Sequence, residues 1–310
     1  MTTLQSAKKY EELLSGEVAA EPYDYPVMFK ADGFFARQRA KWRFKLLKGI
    51  DPKLRRILRS DERVYYVTTG TTVSLAEHFF VGWFAHYLNL RALIFTTERV
   101  LLLEVSRNRP GKLVSQIPYA AIASVKSTWT GICRVKLLNK KTYDFQSVAK
   151  PDRKFLADFL ADVVKGTNAP FQAELGLEHL CPHCYTLVPA HPLACPSCQG
   201  GIKSARKAGL LSFIFPGLGD WYLGHRGRAV VELLGTGFLW LALVVGPLLG
   251  GADPAVRQAP LEAAYWTTAA MILLGAHSID AVMTHHFARK GHHPHPPFPT
   301  PVSGPPLLAK

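Results

Sequence analysis

Four cysteines arranged in two Cys-x-x-Cys pairs are the residues of this 310-residue chain best suited to chemistry. The first pair is Cys181-Pro-His-Cys184, and the second is Cys195-Pro-Ser-Cys198. Two such pairs can deliver four thiolates to one tetrahedral zinc ion. We therefore predict a zinc ribbon that holds one structural Zn²⁺ through Cys181, Cys184, Cys195 and Cys198. A catalytic zinc is not expected, because four protein thiolates leave no open coordination position for a substrate.

The redox state of these cysteines bears on where the chain resides. Thiolate ligands persist only in a reducing compartment, so a zinc site places this part of the chain in the cytosol. The alternative is a pair of disulfides in an extracellular loop. No signal peptide is recognisable in residues 1–30, and we expect the N-terminus to stay cytosolic as well.

Basic residues are concentrated between Arg37 and Arg59, where Asp51 is the single acid, in a chain of formal charge +14. We predict a basic amphipathic helical segment at 33–60 that suits an anionic surface, either lipid head groups or nucleic acid. The candidate lipid-contacting residues are Arg37, Arg39, Lys41, Trp42, Arg43 and Lys45. The alternative is a helix that packs on the following domain and keeps its basic side in water.

Between Arg63 and Gln146 the pattern is typical of β-structure, with short runs of Val, Ile, Leu, Tyr and Thr between turn-forming residues. The predicted strands are Val64–Thr69, Leu93–Thr97, Val100–Val105, Lys112–Pro118, Ala123–Thr128, Cys133–Leu138 and Thr142–Gln146. A helix follows from Pro151-Asp152. Residues 61–166 are therefore predicted to form a small β-barrel or sandwich with a C-terminal capping helix.

The residues of this region resemble bacterial pleckstrin-homology-like domains. The resemblance is carried by Asp61-Glu-Arg-Val-Tyr-Tyr, by Phe95-Thr-Thr-Glu-Arg-Val-Leu-Leu-Leu and by Gln116-Ile-Pro-Tyr-Ala-Ala-Ile-Ala-Ser-Val. It covers about residues 55–165 and implies a barrel-like fold. It assigns no ligand site, because such domains serve lipid binding, peptide binding or self-association.

Apolar segments follow the cysteines and predict a membrane domain at 203–287. Segments 229–250 and 263–283 are long enough to cross a bilayer as helices, whereas 208–223 is short and is broken by Pro216-Gly217. Basic residues flank the apolar segments at every end except the two ends that meet the loop 251–262. Positive-inside counting therefore places this loop outside, with both termini and all soluble domains in the cytosol. Segment 208–223 must then re-enter or lie along the cytosolic face.

The stretch Phe215-Pro-Gly-Leu-Gly-Asp-Trp-Tyr-Leu-Gly-His-Arg-Gly-Arg-Ala resembles the two-transmembrane-helix domain family, over about residues 205–285. This family is poorly defined functionally, so the resemblance implies a small membrane-embedded domain and no particular activity. Within the predicted spans, Glu232, His277 and Asp280 are intramembrane polar residues. They are predicted to pair at the interface and pin the helix ends, and the alternative is a proton or ion path.

We divide the remaining chain by composition. Residues 1–32 are expected to form a partly disordered leader, 167–180 a linker, 181–202 the zinc ribbon and 288–310 a disordered tail rich in Pro and His. The histidines of the tail could chelate a metal weakly.

The sequence as a whole predicts a multi-domain, multi-pass protein of the plasma (inner) membrane. We expect no enzyme, because no phosphate-binding loop, His-Glu-x-x-His or nucleophile elbow is present. The predicted function is that of an adaptor, scaffold or sensor for lipid head groups, anionic ones above all, or for a protein partner. The alternatives are a membrane-tethered nucleic-acid-binding protein and a small ion- or proton-conducting protein. Nucleic acid is not the expected partner, because residues 185–194 contain no Lys or Arg.

Overall fold

The computed structural model describes residues 21–29, 36–73, 77, 86, 89–106, 108–129, 131–166, 176–189, 191–249 and 259–295. The chain divides into two compact units, Met1–Pro189 and Ala190–Lys310. Each unit is described by itself.

The first unit is built on two antiparallel sheets, and all seven predicted strands are present. They are β1 Val64–Thr71, β2 Leu90–Thr96, β3 Arg99–Ser106, β4 Arg109–Pro118, β5 Ile122–Ser127, β6 Cys133–Leu137 and β7 Thr142–Phe145. An eighth strand, β8 at Glu178–His179, lies in the predicted linker and pairs with β4. The strand orders are β1-β2-β3-β4-β8 and β5-β6-β7.

Alternating side chains determine which face of the second sheet is buried. In β6, Cys133, Val135 and Leu137 are buried, whereas Arg134 and Lys136 are exposed. This period of two is what a sheet with one face on the core requires. Strand β4 begins at Arg109, three residues before its predicted start, and Asn108 just before it adopts a left-handed backbone with φ 64°.

Two helices cover one face of the five-stranded sheet. They are α1 at Tyr25–Met28 and α2 at Ala36–Ile57. Leu46, Ile50 and Leu54 of α2 are fully buried in a core that this face of the sheet shares. The alternative drawn from the sequence, a helix packed on the next domain, is therefore the arrangement found. Residues 21–29 of the predicted leader also belong to this core, which includes Met28.

The other face of the five-stranded sheet shares a second core with β5, β6, β7 and a helix α3 at Lys150–Gly166. In this core Phe155 of α3 stacks on Tyr66 with ring centroids 4.3 Å apart. The first unit thus has three layers: α2 on one side, the five-stranded sheet in the middle, and the three-stranded sheet with α3 on the far side.

The second unit contains two helices long and apolar enough to cross a membrane. Helix α6 begins at Arg226, runs to Trp240 and continues through a π-helical turn at Leu241–Val245 to Leu249. Helix α7 spans Ala259–Ala288. In the most apolar windows of these helices only 11% and 28% of the residues are buried, so most of their apolar surface faces outward.

The predicted broken segment forms two short helices, α4 at Ala205–Ile214 and α5 at Leu218–Leu223. Helix α4 runs antiparallel to α7: Ala205 O lies 3.2 Å from His285 Nδ1, and Phe213 O lies 2.8 Å from His277 Nδ1. The chain then reverses at Gly217, whose φ is 91°. The reversed chain ends beside its start, because Ser204 N donates to Tyr222 Oη at 3.2 Å. Segment 208–223 therefore enters and leaves at the same end of α7.

Residues 289–295, which the sequence analysis assigned to a disordered tail, are ordered in this unit. Lys203 N donates to His293 O at 2.8 Å, and His295 N donates to Gly201 O at 3.1 Å. His292 and His293 are buried. A short β-bridge explains the difference, because backbone pairing does not depend on the Pro-rich composition that follows. Residues 296–310 lie outside the described residues.

Candidate metal centre

The four predicted zinc ligands lie together. The sulfur atoms of Cys181, Cys184, Cys195 and Cys198 are all within 4.8 Å of one another. Tetrahedral zinc, with Zn–S bonds of about 2.3 Å, places its sulfur atoms about 3.8 Å apart, within this limit. None of these four cysteines is in a disulfide, so the disulfide alternative is not the arrangement found. The donor set fits one closed, structural Zn²⁺ site.

The first pair is shaped by a tight turn of the backbone. Cys181 N donates to Thr186 O at 2.9 Å, and Tyr185 N donates to Cys181 O at 3.1 Å. His183 N points at Cys181 Sγ from 3.4 Å, and such N–H donors stabilise a thiolate. Tyr185 has φ 61°, in the left-handed region that a non-glycine residue adopts at a cost.

The second pair repeats this conformation fourteen residues later. Cys195 N donates to Gly200 O at 2.9 Å, and Gln199 N donates to Cys195 O at 2.9 Å. Gln199 has φ 56°, matching Tyr185 of the first pair. The two turns are therefore alike residue by residue, and each presents one buried and one more accessible thiol: Cys181 and Cys195 are buried, Cys184 is half-buried and Cys198 is exposed.

Two cations lie beside the first turn. Lys53 Nζ lies 5.8 Å and Arg56 Cζ 5.6 Å from the centre of the Tyr185 ring. Burial lowers the pKa of Lys53 to about 8; Glu104 opposes this shift and Arg56 adds to it. A zinc ion bound by four thiolates carries a net charge of −2, so nearby cations favour the loaded site.

A second polar cluster lies where α5 meets α6 and α7. Asp220, whose side chain is fully buried, lies 3.0 Å from His225 Nδ1 and 3.0 Å from Arg228 Nη2. Arg228 Nε also donates to Glu232 at 2.7 Å. Asp280 accepts a hydrogen bond from Gly217 N at 3.0 Å.

Carboxylate oxygens of Asp220, Glu232 and Asp280 lie within 4.8 Å of one another. Arg228 is paired with two of these carboxylates, Asp220 and Glu232. Together with the Asp280–Gly217 hydrogen bond, these ion pairs tie the broken segment to both long helices. The sequence predicted that Glu232 and Asp280 form contacts near the helix ends, and the structure brings them together. It also adds Asp220, for which the available signal was an acid within an apolar run directly after a Pro-Gly break.

The third intramembrane residue, His277, has a different role from the two acids. Its Nδ1 lies 2.8 Å from Phe213 O, and Trp240 Nε1 lies 3.3 Å from its Nε2. A neutral ring that donates from Nδ1 and accepts at Nε2 satisfies both contacts. His277 therefore connects α4, α6 and α7 by hydrogen bonds.

The predicted lipid-contacting residues do not share one environment. Arg37, Lys41, Trp42 and Lys45 are exposed on α2, and Arg39 is half-buried. The prediction that Arg43 contacts lipid is wrong. Its side chain is 3% exposed and lies 3.1 Å from Asp152 and 2.6 Å from the Tyr66 hydroxyl. Burial of a charged group needs such partners, so Arg43 joins α2 to α3 and is not available to lipid.

The solvent face of α2 carries a cationic stripe. The lipid-contacting residues predicted from the sequence include only part of it. Lys41, Lys45, Lys48 and Arg56 are exposed and lie on one side of the helix by their spacing. Asp51, the single acid of the segment, is buried and paired with Arg55 at 2.8 Å.

A scan against protein-family models and a search of curated proteins gave no match to this chain.

Proposed function

We propose that this protein is a non-enzymatic, two-span membrane protein that presents a pleckstrin-homology-like β domain and a structural zinc ribbon on the cytosolic face. In this role it acts as an adaptor, scaffold or sensor that receives an anionic partner. The observation that carries the proposal is the composition of the second unit. Two helices with outward apolar faces follow a thiol pair that suits a reducing compartment, with Cys198 only seven residues before α4.

The broken segment supports membrane insertion of this unit. Non-helical backbone is tolerated at membrane depth only where protein groups satisfy it. At the Pro216-Gly217 break, Gly217 N is satisfied by Asp280. The α4–α5 hairpin thus has the hydrogen bonding that a re-entrant segment needs, on the side where positive-inside counting places the basic clusters.

The two sheets and α3 support the pleckstrin-homology-like assignment of the first unit. Seven antiparallel strands followed by one helix over the shared core are the layout that the sequence resemblance implies. Fold-level likeness does not select a ligand, so the kind of partner is argued from the surface.

The cationic stripe of α2 supports an anionic partner. Lys41, Lys45, Lys48 and Arg56 form a cationic surface on α2, where the part of the chain that the structure describes contributes no exposed acid, and such surfaces attract acidic proteins or anionic lipids. The ion- or proton-conducting alternative is less favoured by the geometry, because Glu232, His277 and Asp280 each make contacts that hold the helices together.

Partner capture from membranes tests the proposal. The full chain, tagged at its C-terminus, would be cross-linked in its native membrane and isolated with bound proteins and lipids for mass spectrometry. A variant with Glu at Lys41, Lys45, Lys48 and Arg56 should lose an anionic partner that the unaltered chain retains.

The matched control carries the substitutions Lys140→Glu, Lys141→Glu, Lys150→Glu and Lys154→Glu, at lysines that are also exposed. This control should keep the partner. Equal retention by both variants, or recovery of the chain from the soluble fraction, would contradict the adaptor function.

A further inference from the structure

The most exposed large apolar side chain of the first unit, among the residues described, is Trp129 at 96% exposure. It lies in the turn between β5 and β6, on the layer opposite α2. Full exposure of a tryptophan is unfavourable in water, whereas its ring is favoured at a membrane–water interface. A single exposed ring is not a binding site by itself, so the neighbouring residues must show whether Trp129 belongs to a binding surface.

The turn that carries Trp129 is held in place. Thr128 N donates to Ile132 O at 2.8 Å, and Gly131, with φ 94°, donates to Thr128 O at 3.2 Å. Arg153 of α3 reaches across and donates to Gly131 O at 2.6 Å and to Val148 O at 3.2 Å. The ring is therefore presented on a turn fixed to the core, which lowers the entropy lost when it binds.

The strands behind the turn are cationic on their outward face. Lys126 pairs with Arg134 across β5 and β6, and Lys136 follows on the same face. All three are exposed, and the acid on this face, Asp144, is bound to Arg134 at 2.7 Å. An apolar ring at the tip with positive charge behind it fits an anionic lipid surface, which attracts nearby cationic side chains.

We infer that the β5–β6 turn, through Trp129, Lys126 and Lys136, is the surface by which the first unit contacts an anionic membrane. This inference rests on the proposed membrane anchorage, which keeps the unit near the bilayer. It leaves the stripe of α2, on the opposite layer, facing away from the lipid and open to a soluble acidic partner.

Tryptophan fluorescence of the full chain tests this assignment. The chain is reconstituted in phosphatidylcholine vesicles containing phosphatidylglycerol, with and without brominated acyl chains. Subtracting the spectrum of Trp129→Phe isolates the Trp129 signal. This signal should be shifted to shorter wavelength, quenched by brominated lipid and shielded from aqueous acrylamide.

Four further variants complete the comparison. The signal isolated by Trp42→Phe reports the α2 layer and should be quenched by acrylamide, not by brominated lipid. Lys126→Glu and Lys136→Glu should each lower the equilibrium constant for lipid contact of Trp129, read from its quenching by brominated lipid, by at least about fivefold. Lys140→Glu with Lys141→Glu, at the other end of β6, should leave it unchanged.

The opposite results would overturn the inference. An acrylamide-accessible Trp129 untouched by brominated lipid would reject it, and lipid quenching of Trp42 would assign the membrane contact to α2. The signal isolated by Trp240→Phe, from helix α6, keeps the two proposals separate. If brominated lipid quenches Trp240 but not Trp129, the anchorage stands and this inference fails; if neither is quenched, the proposed function fails as well.

Discussion

At the scale of single residues, Tyr185 and Gln199 hold a left-handed backbone in the two cysteine turns, which costs an ordinary residue about 1–2 kcal/mol. Coordination of one ion by all four thiolates would offset this cost, because metal-binding free energy in such small sites is also folding free energy.

Zinc content tests this interpretation directly. The purified full chain should contain about one zinc per molecule, and Cys195→Ser should lose it, because three thiolates bind zinc far more weakly. Elemental analysis together with counting of reactive thiols provides the measurement.

Cys133 offers a matched control in the same chain. It is a buried free thiol in β6, and burial raises its pKa to about 11, so it stays protonated and unreactive at neutral pH. Cys133→Ser should keep the zinc. Loss of zinc in this variant, or disulfides in place of free thiols, would contradict the assigned ligand set.

A buried ion pair makes the first unit sensitive to acid. Arg99 donates to Glu62 at 2.9 and 2.7 Å, and Thr96 Oγ1 donates to it at 2.7 Å. Burial alone would raise the pKa of Glu62, but these hydrogen bonds outweigh it and hold the pKa below its usual range. The ionised carboxylate therefore stabilises the fold above the usual pKa of a glutamate, and this stability is lost as the pH falls through the lowered value.

We expect Glu62→Gln to destabilise the first unit by about 3–5 kcal/mol at neutral pH, because it leaves Arg99 buried without a counter-charge. The variant should also lose the part of the acid dependence that Glu62 causes. Hydrogen exchange of β1–β4 across a pH series measures both effects. Asp144→Asn, in the exposed pair with Arg134, is the control and should change stability little; an equal effect would refute the argument from burial.

At the scale of elements, the α4–α5 hairpin depends on glycine for close packing. A Cβ atom on Gly219 would contact Ala208 O and would lie 2.5 Å from Ser212 Oγ and 2.7 Å from Thr284 Cγ2. The hydroxyls of Ser212 and Thr284 are themselves hydrogen-bonded at 3.1 Å. Helix α5 therefore lies against α4 and α7 at a distance that excludes any side chain at position 219.

Gly219→Ala should lower the stability of the second unit by roughly 1–3 kcal/mol, the usual cost of overpacking. Gly235→Ala in α6 is the control, because a Cβ there meets nothing within 4 Å and alanine favours a helix. Thermal unfolding of the detergent-solubilised chain, followed by limited proteolysis, compares the two variants. If both behave alike, the close packing of α5 is not what holds the hairpin.

At the scale of the whole molecule, the proposed topology places both termini in the cytosol and residues 251–262 outside. A cysteine introduced at Ala255 should react with a membrane-impermeant maleimide on intact cells. One introduced at Ser303 should react only after permeabilisation. The unaltered chain, whose own thiols are assigned to the cytosol or the core, gives the background. The reverse labelling pattern would invert the topology.

The sequence alone predicted most elements of this protein, although not α1 or β8. The seven strands, the two membrane-length helices and the four thiol ligands all depend on local periodicity or spacing, which neighbours along the chain decide. The break at Pro216-Gly217 likewise followed from residue type, because proline and glycine restrict or free the backbone wherever they stand.

Only the tertiary structure decided which long-range partner each polar group has. Arg43 reads as one more surface cation in its segment, yet it is buried against Asp152, 109 residues away. His293 lies in the predicted disordered tail and Glu178 in the predicted linker, yet each belongs to a backbone bridge or strand with a distant segment. The physical reason is the same in each case. The cost of burying a charge or a backbone amide depends on whether a partner is within reach, and packing of distant segments determines that reach.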